Sequence, residues 1–259
     1  MSLATAGIAY PTDIDDWKID ELLDSHYNST GKGVIAVGVW YDANYPWSEY
    51  TLTPNLNMDH WINGASRGTA PEGGAMIAFI RDNVKPEIDS RFNTLSDRTN
   101  TAIGGGSRCA LLALHAGLHA PSTFSKVMAF STAVWIAEGG TRVELPGLTT
   151  WYSDNGLGNW FTRYQAPTDV KYFLYVGGNE VSTGSTIYDF PYVQKSTAIG
   201  EKISLKYAYD SGYVRIKGAL ETEGVPSGNI RAIRNPDGTH YPRVWRNYII
   251  PYVLPFFGF

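Results

Sequence analysis

The sequence predicts an α/β protein built on a mostly parallel sheet with helices on both faces. Three observations point there. Short apolar runs at 34–40, 126–130 and 170–176 alternate with helical segments, the order from which parallel sheets are assembled. The run at 34–40 is continuously apolar, as in a strand covered on both faces. Finally, Ile103-Gly104-Gly105-Gly106-Ser107 leads from an apolar segment through a tight glycine turn into a helix-forming run, which reads as strand, elbow, helix.

Taken in order, residues 3–10 form a short apolar run read as a buried strand and ended by Pro11. Asp13 to Asp16 offer N-caps for a helix over 17–23 with apolar positions at 19, 22 and 23. Residues 34–40 give the clearest strand pattern, followed by an irregular, aromatic-rich excursion at about 41–70. Pro71-Glu72 opens a helix with Ile77, Ile80, Val84 and Ile88 on one stripe, and Pro86 should kink or loosen its last turn. After the elbow strand at 101–103, residues 109–118 are apolar nearly all round and predict a buried helix. Strands follow at 126–130 and 170–176, then a helix at 214–223 stopped by Gly224, and a last strand at 229–234. The closing segment, 241–259, reads as an apolar, aromatic helix interrupted by Pro251 and Pro255. We read 1–259 as one domain, long enough to bury its own core.

Composition narrows the function. A hydrophobic fraction of 43% with 18% charged residues is that of a soluble globular protein, and no stretch reaches the length of a membrane span. Net charge of −4 without a basic run argues against nucleic acid as a partner. One cysteine excludes an intrachain disulfide and a four-cysteine zinc site. No signal peptide is recognisable in the first residues, and the compartment stays open. Eight tryptophans and an aromatic content of 14% stand out. Trp40, Tyr41, Tyr45, Trp47, Tyr50 and Trp61 fall in or beside loop-like sequence, where they either line a pocket for sugar rings or aromatic acyl groups or simply cover the core.

Ser107 is the candidate nucleophile. Gly105 lies two positions before it and Cys109 two after, a G-x-S-x-C variant of the nucleophile elbow. A serine hydroxyl needs a base within reach and a third group to orient that base. Of five histidines, His240 is the best base, because it follows a predicted strand and a Pro-Asp-Gly turn and so falls on the rim where open α/β sheets gather their chemistry. His115 and His119 sit on the helix after the elbow, and His26 and His60 precede or lie in irregular sequence. Glu180, four residues beyond the strand ending at Val176, leads for the acid, with Asp189, Asp210 and Asp237 as rivals and a Ser-His dyad as the fallback. The oxyanion hole would use the backbone N–H of Arg108 and one near residues 10–13, where Pro11 has none to give.

Competing readings of the elbow are an incidental serine in a glycine turn and an anion-binding loop at a helix start. Neither nucleotide fingerprint fits, since G-x-G-x-x-G needs glycine at Cys109 and a P-loop needs Gly-Lys-Ser/Thr where Ser107-Arg108-Cys109 stands. His115 and His119 have zinc-motif spacing, but Ala116 occupies the position where glutamate is required. No cofactor and no metal is expected.

Several stretches together resemble the esterase D, or putative esterase, family of α/β-hydrolases. Residues 101–114, followed by Pro121-Ser122-Thr123-Phe124-Ser125-Lys126-Val127-Met128-Ala129-Phe130-Ser131 and Trp135, are similar to its A-G-x-S-M-G-G elbow and P-x-x-F-x-x-V-x-x-F-S-x-x-x-W continuation. Val176-Gly177-Gly178-Asn179-Glu180 resembles the segment carrying the family's acid, and Asp237-Gly238-Thr239-His240 the one carrying its base. The resemblance implies an α/β-hydrolase fold and ester hydrolysis through an acyl-serine intermediate, on feruloyl, acetyl or siderophore esters or S-formylglutathione. Trp40, Tyr41, Trp47 and Trp135 would shape the acyl or sugar pocket. Two departures stand out: Arg108-Cys109 replaces the usual Met-Gly, and the chain has room for one strand before the helix at Trp17 where members have three. The first edge strands are therefore expected to be missing, with residues 3–10 beside the elbow strand. An edge left open at that side is either exposed or covered by a partner subunit, as in a homo-oligomer. The alternative to an esterase is a non-catalytic member of the fold, a carbohydrate-binding or scaffold protein.

Overall fold

Four parallel strands form the centre of the computed structural model, which describes residues 16–40, 72–134, 165–180, 192–194 and 202–259. They are β1 (Ala102–Gly106), β2 (Lys126–Phe130), β3 (Lys171–Gly177) and β6 (Ile230–Asn235), side by side in the order β1-β2-β3-β6. Register runs from Ala102 opposite Lys126 and Lys126 opposite Lys171 to Gly177 opposite Asn235, so the C-terminal ends of all four strands meet at one rim. Two short strands, β4 (Tyr192–Gln194) and β5 (Lys202–Ser204), pair antiparallel apart from this sheet.

Alternation along the strands sorts side chains between two faces. On one face Val127, Ala129, Tyr172, Leu174 and Val176 pack against Ala110, Leu111, Ala113 and Leu114 of α4 (Arg108–His119) and Ile216 and Leu220 of α5 (Leu205–Thr222). On the other, Phe130, Phe173 and Tyr175 pack against Trp245, Val253 and Phe257, with Trp17 against the same cluster. Helix α4 is apolar nearly all round because it has a second neighbour: Leu112 and Ala116 meet Met76 and Ile77 of α2 (Gly73–Phe79). Burying a side chain such as Leu111 or Phe173 stabilises the fold by roughly 1.5–3 kcal/mol each.

Helix α1 (Ile19–Thr30) starts two residues later than its pattern suggests, because Lys18 turns left-handed and its N–H bonds the Asp16 carboxylate. That leaves Trp17 outside the helix, its ring 5.6 Å from Phe130 and 5.5 Å from Trp245. Pro86 loosens the helix as expected, though one turn before the proline rather than in the last turn. The wide turn Ile80–Val84 precedes it, and α3 (Lys85–Arg91) restarts with the proline near its first turn, where the missing N–H costs little. The C-terminus repeats this device: α6 (Pro242–Trp245) runs through Arg246–Tyr248 into a wide turn at Ile249–Val253 containing Pro251, and α7 (Leu254–Phe257) restarts with Pro255.

Two expectations need correction. Residues 34–40 form no strand; Ile35, Val37 and Trp40 are exposed, while Val39 packs beside Met76 and Ile77. Apolar pattern supplies strand propensity, but a strand exists only with a hydrogen-bonded neighbour, and none of the described strands pairs with this stretch. The helix expected at 214–223 begins at Leu205, two and a half turns earlier. The strand expected at 3–10 and the aromatic stretch at 41–70 lie outside the described residues.

His115 and His119 stack on the same face of α4, ring centroids 3.8 Å apart. Burial, with a smaller contribution from His119, pushes the His115 imidazole down to about 3. The unfolded chain takes up this proton near the ordinary value and the folded chain does not. Stability is therefore whole above about pH 6.5 and is lost as pH falls toward 3, by at most about 1.4 kcal/mol per pH unit for one proton. Replacing His115 by Leu is expected to flatten the pH dependence of the unfolding midpoint between pH 6 and 3, which thermal melts across that range will show.

Candidate active site

Residues immediately beyond β1, β3 and β6 converge at the rim. Ser107 follows β1 and enters α4 with φ 60° and ψ −118°, a conformation costing a non-glycine residue about 1–3 kcal/mol. Tertiary hydrogen bonds hold it there: its N–H donates to the Phe130 carbonyl at 2.8 Å, and its carbonyl accepts from Ala133 N–H at 3.2 Å. The elbow fits because Gly105 has no side chain. A Cβ on it would stand 2.4 Å from Cys109 Cβ, so the larger residue at position 109 is absorbed by the glycine facing it. Arg108 begins α4, with its N–H at the helix start beside Ser107.

Glu180 is fully buried, and its carboxylate is the hub of the site. Oε2 accepts from His240 Nδ1 at 2.7 Å, while Oε1 accepts from Ser131 Oγ at 2.6 Å and Gly177 N–H at 2.5 Å. Because Nδ1 faces a carboxylate it carries the proton, which leaves Nε2 as the acceptor. The loops bearing Glu180 and His240 are joined by their backbones: Asn179 N–H donates to Gly238 O at 2.8 Å and Gly178 N–H to Asn235 O at 2.6 Å. Gly238 must be glycine for this approach, since a Cβ there would lie 2.2 Å from the Tyr175 hydroxyl.

The other candidates are placed elsewhere. Asp210 pairs with Arg234 at 2.5 Å, Asp237 is exposed in its turn, and Asp189 lies outside the described residues. His26 is buried on α1, and His115 and His119 stack on α4 away from this rim chain. Trp40 is 56% exposed; Tyr41, Trp47, Trp135 and residues 10–13 lie outside the described residues. No cluster of three or more His, Cys, Asp or Glu able to hold a metal occurs among the described residues, and no helix among them is long and apolar enough to cross a membrane.

Three residues were not singled out as members of the site from sequence. Ser131, left-handed at φ 47°, follows β2 and links Glu180 to Trp245, whose indole N–H donates to Ser131 Oγ at 3.0 Å. Trp245 also meets the His240 ring edge-on, centroids 5.0 Å apart. Tyr209 on α5 places its hydroxyl 3.5 Å from Ser107 Oγ and 3.1 Å from His240 Nε2. Ser131 carried a legible signal, a serine directly after a parallel strand at the reactive rim. Tyr209 carries none, because the helical pattern in the sequence begins only at 214.

A serine at a strand-to-helix elbow after β1, a buried carboxylate after β3 and a histidine after β6, all at one end of a parallel sheet, define an α/β-hydrolase arrangement. Comparison with known proteins agrees on the fold. An IroE-like serine hydrolase from Shewanella oneidensis superposes with a TM-score of 0.50 at 18% identity, over 80% of this chain and 55% of that one. The enterobactin esterase FES of Shigella flexneri gives a TM-score of 0.45 at 16% identity, over 71% and 38% of the two chains. A siderophore enterobactin esterase of Emericella nidulans is 35% identical over 121 residues, which are 43% of this chain and 39% of that protein. The chain thus spans about two fifths of the length of that curated relative. The family described as Putative esterase matches residues 16–211, and the chain belongs to it.

Ser131→Ala would leave the buried Glu180 carboxylate short of a donor and the Trp245 N–H without its acceptor. A loss of about 1–3 kcal/mol in unfolding free energy is expected, measured by urea denaturation.

Proposed function

We propose that this protein is a serine carboxylic-ester hydrolase working through an acyl-serine intermediate. Ser107 attacks the ester carbonyl, His240 takes its proton and returns it to the leaving alcohol, Glu180 orients and stabilises the charged imidazole, and Arg108 N–H helps hold the oxyanion. The observation that carries this reading is the polarity of the Glu180-His240 pair: a carboxylate that accepts from Ser131, Gly177 and His240 fixes the imidazole proton on Nδ1 and leaves Nε2 as an acceptor beside the Tyr209 hydroxyl that also meets Ser107. Membership of the esterase family supports it.

For the substrate we propose carbohydrate-linked, aromatic or short acyl esters, siderophore esters included. The Emericella nidulans relative is named for a siderophore ester, and the aromatic residues at Trp40, Tyr41, Trp47 and Trp135 suit flat acyl or sugar rings.

The purified protein is expected to hydrolyse p-nitrophenyl acetate, and Ser107→Ala to lower kcat/KM by at least about a thousandfold. Full activity in that variant would refute the assignment of the nucleophile. A p-nitrophenyl ferulate to p-nitrophenyl acetate rate ratio above one supports an aromatic acyl site; a ratio well below one argues for short acyl groups.

A further inference from the structure

The geometry points to Tyr209 as a catalytic residue, a hydroxyl that carries the proton between Ser107 and His240. This rests on Ser107 being the nucleophile. Among the described hydrogen bonds Ser107 Oγ and His240 Nε2 do not contact each other; both contact the Tyr209 hydroxyl, at 3.5 Å and 3.1 Å. A phenol has one proton to donate and lone pairs with which to accept. His240 Nδ1 keeps its proton toward Glu180, so Nε2 can only accept, and the Tyr209 proton belongs there. The tyrosine oxygen is left to accept from Ser107. Each donor in the line Ser107, Tyr209, His240, Glu180 then has an acceptor, all directed away from the serine.

Tyr209 is held in this place by its surroundings. It is 4% exposed within the core cluster that also contains Val134 and Val176, and its ring lies against the His240 ring with centroids 4.5 Å apart. Its helix approaches the loop after β2 closely because Gly212 has no side chain: a Cβ there would stand 2.3 Å from Val134. The Asp210-Arg234 pair ties the same turn of α5 to β6. A hydroxyl fixed between two reacting atoms needs little reorganisation when charge moves, and a contact at 3.5 Å is of the kind that shortens once substrate is bound.

In acylation, Ser107 Oγ bonds to the ester carbonyl carbon and the carbonyl π pair moves to its oxygen. The serine proton passes to the Tyr209 oxygen as the tyrosine proton passes to His240 Nε2. Tyrosine ends as it began, and the products are a tetrahedral oxyanion and an imidazolium paired with Glu180. Collapse sends one proton back along the same line to the leaving alkoxide, which departs as the alcohol.

The test is Tyr209→Phe in the full chain, an isosteric change in the ring that removes only the hydroxyl. Two rates are read: labelling of Ser107 by a fluorophosphonate probe, and kcat/KM for p-nitrophenyl acetate. Both are expected to fall about 100-fold with the unfolding midpoint retained. Rates equal to or above wild type would overturn the relay and make the hydroxyl a plug separating serine from base. A second readout does not depend on the variant folding: kcat in H2O/D2O mixtures bows for the wild-type enzyme if two protons move together, and a straight line overturns the proposal. Wild-type protein that fails to label at Ser107, with Ser107→Ala as control, instead defeats the nucleophile assignment itself.

Discussion

A buried carboxylate imposes most of the constraints seen at the rim. Taking the Glu180 charge out of water costs several kcal/mol unless its lone pairs are occupied, and the chain occupies them with donors from three places: Ser131 after β2, Gly177 at the end of β3 and His240 after β6. No one strand can supply that set. The donors converge only when β2, β3 and β6 lie parallel and end level, as their register has them. The sheet and the site are therefore one problem in packing, since a shift of one strand would strand the charge.

Strain and aromatic packing serve the same end. Ser107 and Ser131 both adopt positive φ, and both are held by hydrogen bonds to neighbouring strands, Ser107 N–H to Phe130 O and Ser131 N–H to Tyr175 O. The backbone cost is offset where the sheet fixes the partners. Trp245 closes the arrangement from the opposite face: it donates to Ser131, meets His240 edge-on and stacks with Phe130. The segment that delivers it contains two prolines in its later turns, absorbed by a wide turn and a restart rather than by loss of helix.

Ser107, Glu180 and His240 could be read from sequence because each follows a strand by a few residues, and strands, glycine turns and elbow are local patterns. Their meeting at one rim follows from parallel topology. Local pattern misled at 34–40, where a continuous apolar run has strand propensity but no described partner, and at the start of α5, where the helical pattern is legible only from 214 although the helix, Gly212 included, begins at Leu205. In the fold that glycine is the contact point of α5 on Val134, and tertiary packing outweighs a propensity penalty of about 1 kcal/mol.

The sequence by itself determined the α/β class, the strand-elbow-helix at Ser107 and the two rim residues most suited to serve it, because backbone propensity and turn chemistry act over a few residues. Only the tertiary structure decided which carboxylate faces the histidine, and that Ser131, Trp245 and Tyr209 join it. As sequence, Glu180 leads its rival Asp210 only by its place after a strand; in the fold Asp210 pairs with Arg234 at 2.5 Å and Glu180 with His240 at 2.7 Å. Tyr209 stands between Ser107 and His240 because a helix from late in the chain packs, through one glycine, onto a loop from its middle. Distances of that kind are set by packing among elements distant in sequence, and no short stretch of residues encodes them.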